Sequence, residues 1–187
     1  MSKLDLKSGI IIGGLITVAA LSRLVDHPFN FTPVLAIIIF SVAVIKNRTL
    51  KIVIPFAVIL LSDLMLQFKT GYGFHSGTWL VYGAYILVGL VAFGVIKKIN
   101  ILNVVAGTLF GSIVFYLVTN FAFFYPVAAV SNPTLGQYSH DISGIITSYE
   151  AGLPFFRNMI TGDMFYSAIL FGTYALVQSF GLQRKVS

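Results

Sequence analysis

Cysteine is absent from all 187 residues, which removes disulfides, thiolate metal sites and cysteine nucleophiles from consideration. Charge is scarce too, since Asp, Glu, Lys and Arg make up only 10% of the chain. Catalytic spacing is missing as well: there is no nucleophile elbow, no phosphate-cradling glycine loop and no paired-histidine helix motif. Without a nucleotide site, ATP-powered transport would need a partner protein. What the chain has in abundance is apolar surface. At 57% hydrophobic and a mean hydropathy of +0.92 it carries more than a soluble domain of this size can hide, and it reads as an integral membrane protein. The net charge of +6 does not point to nucleic acid, because the basic residues sit in short segments flanking apolar runs, where they set topology.

A hydrocarbon core of about 30 Å takes roughly 20 apolar residues per helix. Residues 1–187 therefore accommodate a single all-α transmembrane domain of about six helices, expected over 8–25, 31–45, 52–68, 78–96, 101–121 and 160–182. The first span follows Lys3 and Lys7 but lacks a small-residue cleavage site after Ala19 and Ala20, so it reads as a retained helix. The second is short and contains Pro33. It must stand nearly upright, lie partly in the interface, or begin as irregular chain packed against protein.

With an even number of spans, nine of the twelve Lys and Arg fall on one side: Lys3, Lys7, Lys46, Arg48, Lys51, Lys97, Lys98, Arg184 and Lys185. Only Arg23, Lys69 and Arg157 fall on the other. Short loops rich in Lys and Arg stay cytoplasmic, so both termini are expected inside a bacterial cytoplasmic (inner) membrane. The longest connection, about 122–159, then lies outside. Within it Ile142, Ile145, Ile146, Tyr149 and Leu153 recur at helical spacing behind an Asp141 cap, which predicts a short amphipathic helix. That helix serves either as a headgroup anchor or as a lid over a cavity.

Polar residues converge on the same outer half: Arg23 in helix one, Asp63 in helix three, Asn120 in helix five and Asp163 in helix six. Charges at membrane depth normally face a partner or a water-filled cavity. Local pairing explains each of them singly, but their common level favours an outward-facing pocket. Aromatic residues crowd this half as well, Trp79 and Tyr82 among them. An interfacial belt explains part of that bias, and its one-sidedness leaves room for rings that stack on a flat ligand. His27, His75 and His140 come from three outer loops with no i,i+4 pair, so no metal is expected. His75 is the one best placed to touch a ligand.

Gly9 with Gly13 and Gly107 with Gly111 form G-x-x-x-G steps, which allow close helix approach. The usual outcome is packing inside the bundle. The step on helix one is nearest the cytoplasm, where a coupling partner would dock.

The string Arg23 to Pro33, with His27-Pro28 and Asn30-Phe31-Thr32-Pro33, is followed by Ser62-Asp63, Thr119-Asn120-Phe121, Gly152-Leu153-Pro154-Phe155-Phe156 and Gly162-Asp163. Together these resemble an uncharacterised family of small bacterial six-helix membrane proteins over nearly the whole chain. In size and layout the family is similar to the S-components of energy-coupling factor transporters, which capture vitamins and related micronutrients from the outer face. That likeness implies a small, ring-containing, vitamin-like solute, a lipid-embedded bundle, an energy-coupling membrane partner and no cofactor. S-components typically carry an A-x-x-x-A docking step on helix one, where this chain has Gly9 and Gly13. The solute would meet Arg23, Asp63, His75, Trp79, Tyr82, Asn120, Arg157 and Asp163. The other readings are an assembly subunit of a membrane complex, and an enzyme acting on lipid or isoprenoid substrates through Asp63, Asp163 and His75.

Overall fold

The computed structural model describes the backbone of residues 3–183 and the side chains of residues 9–179. The side chains of Lys3 and Lys7, and all of Arg184 and Lys185, on which part of the orientation argument rests, lie outside the described residues. Six α-helices follow one another: α1 (Lys3–Leu21), α2 (Val34–Val44), α3 (Leu50–Thr70), α4 (Thr78–Val95), α5 (Ile101–Thr119) and α6 (Ile142–Gln183). No strand occurs among the described residues, only two isolated bridges in the α5–α6 connection. Helices α3, α4, α5 and α6 are each long and apolar enough to cross a membrane, and the protein has the build of a membrane protein.

The second span departs most from expectation. Helix α2 has 11 residues, about 16 Å at 1.5 Å per residue and half a hydrocarbon core. It is not a lipid-facing span. Ala36, Ile37, Ile39, Phe40 and Ser41 are all 0% exposed, and α2 packs against every one of the other five helices. A helix apolar on all sides is one surrounded by protein. Phe40 shows how it is held, edge-on to Phe171 at 5.1 Å and to Tyr174 at 5.8 Å.

Of the three options for this span, the chain takes the irregular one. Residues 25–33 run beside α6 as non-helical backbone, turning at Asn30 in a left-handed conformation (φ 62°) that asparagine tolerates. The Phe31 ring packs 5.8 Å from Phe165 and from Tyr166, and Asn158 Nδ2 donates to the Phe29 carbonyl at 3.1 Å. Gly162 permits this contact, because a Cβ there would lie 3.0 Å from Phe31 Cα.

The helix expected after Asp141 forms, but not as a separate element. It is the start of α6, which runs 42 residues through Pro154, roughly 63 Å and about twice the hydrocarbon thickness. Asp141 Oδ1 accepts the Gly144 N–H at 2.8 Å and the Ser139 hydroxyl at 2.9 Å. The Gly144 amide foremost, with that hydroxyl, holds the carboxyl below the usual aspartate range. The connection before it is pinned by Tyr125, which donates to the Thr119 carbonyl at 2.6 Å, and by His140, whose Nε2 meets the Tyr125 carbonyl at 3.0 Å.

The two glycine steps part ways. Gly111 faces inward, with Val88 and Ile39 close around it, and Gly107 faces Ile96. Nothing described lies within 4 Å of where a Cβ at Gly9 or Gly13 would stand, so the α1 step is not filled by another helix among the described residues.

Truncating Phe40→Ala should lower stability near the lower end of the roughly 3–5 kcal/mol seen for such cavities. The lower end applies because an unfolded chain in lipid keeps its apolar surroundings and loses mainly packing. Thermal unfolding in detergent measures this, and an exposed control such as Phe68→Ala should be nearly silent.

Candidate functional site

Beyond the N-terminal end of α2 the bundle axis is unfilled, leaving a cavity of about 600 Å³, within the range of small-molecule sites. Val34 and Leu35, the first residues of α2, form its inner end. Its walls come from Asp63 on α3, Tyr82 and Tyr85 on α4, Phe115 and Tyr116 on α5, and Gly152 and Phe156 on α6. The three odd-numbered connections close over it, contributing Asn30 and Thr32, then Tyr72 and His75, then Tyr125 and Tyr138. Polar and apolar groups share the lining.

One ion pair anchors the wall. Arg23, in a 3₁₀ turn over Ser22–Leu24, places its guanidinium 2.6 Å from Asp63 Oδ1, with both side chains about nine-tenths buried. Arg23 also donates to the Ser62 hydroxyl, and the Tyr82 hydroxyl donates to Asp63 Oδ2 at 2.6 Å. Both carboxylate oxygens of Asp63 are therefore engaged, and one side chain ties the end of α1, α3 and α4 together. Helices α3 and α4 are not among the pairs with close backbone packing, which makes the Asp63–Tyr82 bond a main connection between them.

Aromatic rings make the rest of the walls. Tyr85 stacks on Phe115 with centroids 5.4 Å apart and 15° between planes, and meets Tyr82 at 5.6 Å. Tyr116 stacks on Phe156 at 4.3 Å and 24°, and its hydroxyl donates to the Tyr149 carbonyl at 2.6 Å. Asn120 Nδ2 donates to the Tyr116 carbonyl at 3.0 Å. Its other end packs on Gly152, where any Cβ would overlap the Asn120 amide.

Of the eight residues singled out from the sequence, Arg23, Asp63, His75, Tyr82 and Asn120 line this cavity. The other three do not. Trp79 lies about 100° around α4 from Thr78, is 64% exposed and meets Phe124 edge-on. Arg157 sits in a shallow depression on the outer side of α6 with Glu150, Asn158 and Thr161. Asp163 is 1% exposed between α5 and α6, accepting the Ser112 hydroxyl at 2.7 Å, with Thr108 and Ser167 paired nearby at 3.1 Å. Helix rotation sends the three to different faces.

The histidines have separate local partners. His27 Nδ1 meets the Pro28 carbonyl, His75 Nδ1 accepts the Gly77 N–H at 3.1 Å, and His140 stacks on Phe123 at 4.7 Å. Among the described residues no group of three or more His, Asp or Glu side chains comes together.

Sequence reasoning passed over Tyr85, Phe115, Tyr116 and Gly152. A signal existed in the steps Tyr82–Tyr85, Phe115–Thr119 and Tyr116–Asn120, each at i,i+3 or i,i+4 and so on a shared helix face. In helices apolar on every side, such steps do not show which face is inward.

The chain belongs to DUF6580, a family of unknown function whose model matches residues 4–184. No curated protein and no solved structure matches it.

Removing one member of the ion pair strands the other in a buried setting. Arg23→Met and Asp63→Leu should each cost about 3–5 kcal/mol, and the double variant should be more stable than either single one. A double-mutant cycle of thermal unfolding in detergent measures the coupling, and additive losses would mean the pair is not joined.

Proposed function

We propose that this protein binds a small solute from the extracytoplasmic side of a bacterial cytoplasmic membrane, in the manner of an S-component, with both termini in the cytoplasm. The observation that carries the reading is the cavity itself. It opens among the odd-numbered connections, at the end of the bundle opposite the basic loops with Lys46, Arg48, Lys51, Lys97 and Lys98. Basic loops stay cytoplasmic, so the cavity would face outward.

The polar contacts would come from Asn120 and His75, with Tyr82 and the Arg23–Asp63 pair setting the shape of the wall. The lid role goes to the connection over residues 121–140, whose Tyr125 and Tyr138 close over the space, rather than to the 141–153 segment, which contributes Ala151 and Gly152 to a wall. Full engagement of Asp63 by Arg23 and Tyr82 weighs against acid–base chemistry at that residue, and so against the lipid or isoprenoid enzyme reading.

Uptake would need an energy-coupling membrane partner. The uncovered Gly9 and Gly13 of α1 are where a partner helix would approach. The same observation favours the second reading, an assembly subunit of a membrane complex.

Native mass spectrometry of the detergent-purified protein separates the two. A retained small molecule at one per chain is the expected result. An empty protein carrying a stoichiometric membrane partner, lost on Gly13→Leu, would support the assembly subunit instead.

A further inference from the structure

Most polar groups on the cavity wall are already used by the protein. Tyr82 donates to Asp63, Tyr116 to the Tyr149 carbonyl, Tyr125 to the Thr119 carbonyl and Thr119 to the Phe115 carbonyl. Others are not, among them the buried Arg23 Nε, and three of these stand where a ring would lie. Tyr85 is 8% exposed and Tyr138 is 6% exposed. Both line the cavity, and neither hydroxyl has a hydrogen-bond partner among the described residues; the fully buried unpaired side-chain atoms are Arg23 Nε and Ser41 Oγ, so the two tyrosine oxygens stay open to the cavity. Asn120 spends its Nδ2 on the Tyr116 and Thr119 oxygens, and its Oδ1, lying against Gly152 on the same wall, accepts no hydrogen bond among the described residues. These three atoms come from α4, from the end of α5 and from the lid connection, and they converge on one space.

The charge balance of that space is closed. Arg23 and Asp63 are the only Lys, Arg, Asp or Glu on its lining among the described residues, and they are bonded to each other at 2.6 Å. At the buried wall a ligand carboxylate would compete with Asp63 for Arg23 and leave one anion without a counter-ion, since the other group on the lining that can turn cationic, His75, lies in the exposed α3–α4 connection. A ligand amine would do the same to Arg23. Either is far more costly than burying a neutral polar group that finds its hydrogen bonds. The first-turn N–H groups of α2, at the inner end, also lack helical acceptors, and a carbonyl or ring-nitrogen lone pair satisfies them without bringing net charge. Flat surfaces flank the space, with the Tyr85–Phe115 stack on one wall and the Tyr116–Phe156 stack on another.

Resting on the solute-binding reading, we infer that the ligand is an uncharged planar ring compound rich in hydrogen-bond acceptors, recognised by the Tyr85 and Tyr138 hydroxyls as donors and by Asn120 Oδ1 as acceptor. Burial pushes the Tyr138 hydroxyl above the ordinary tyrosine range, which keeps it a donor at neutral pH. Because one of the two donors lies in the wall and the other in the lid connection, a bound ring would tie the lid to the bundle.

The test uses the full chain in detergent, incubated with a deproteinised cell extract, washed, and read by native mass spectrometry, with the released compound identified and its affinity then measured. An uncharged ring compound is expected. Tyr85→Phe and Tyr138→Phe should each weaken its binding about three- to tenfold, the worth of one neutral hydrogen bond, while leaving the melting temperature of the empty protein unchanged, since neither hydroxyl bonds to protein. Tyr149→Phe, outside the cavity, is the converse control. It removes a bond to the Leu117 carbonyl and should lower the melting temperature without changing affinity. The matched pairs nicotinamide with nicotinate and uracil with orotate, added at high concentration, should compete only as the neutral member. Capture of an anionic or cationic compound, or better competition by the carboxylates, would overturn the inference and leave solute binding standing. Unchanged affinity in both tyrosine variants would overturn the contact assignment. No captured small molecule at all would overturn the solute-binding reading itself.

Discussion

The architecture turns on the shortness of α2. Eleven residues span about half a hydrocarbon core, yet this helix touches all five of the others. Where it stands, the interior is solid with Ile37, Ile38, Ile39 and Phe40. Beyond its first residues, Val34 and Leu35, no helix occupies the axis, and the neighbours are held apart around an unfilled volume. The cavity is thus a consequence of a central helix that begins late, and the connections converge there because nothing else fills that end.

Holding such a space open needs fixed walls, and the wall-holding interactions are polar. Apolar contact between helices is a weak organiser in lipid, where the surroundings are equally apolar. The Arg23–Asp63 pair with Tyr82 links three elements through one carboxylate, while Tyr116, Asn120 and Gly152 fix α5 against α6. A buried ion pair that is costly to break on one side is well suited to set the separation of α3 and α4, which lack close backbone packing. The same closure of charge leaves no unpaired Lys, Arg, Asp or Glu on the cavity lining among the described residues.

Much of this was legible in the residues. Hydropathy and length announced a membrane helix bundle of six elements, and Asp141 announced the start of a helix with its cap. The clustering of Arg23, Asp63, Tyr82 and Asn120 at one depth pointed to the right end of the molecule. Depth, however, is not direction. Trp79 and Asp163 were expected at that depth, yet one is 64% exposed at the surface and the other is locked at the α5–α6 seam. In a soluble helix the polar face betrays its orientation. In a helix apolar all round, rotation about the axis leaves no such mark.

The sequence by itself determined the medium, the number of helices and the end at which polar and aromatic groups gather, because hydropathy, length and charge are summed along the chain. Only the tertiary structure decided that residues 25–33 stay irregular beside Gly162, that the helix after Asp141 is continuous with α6 through Pro154, and that Gly9 and Gly13 have no described neighbour against them while Gly111 faces in. It also decided which tyrosines keep a partner and which do not. Those outcomes depend on what lies across from each side chain, and partners from elements distant along the chain are set by packing rather than by local pattern.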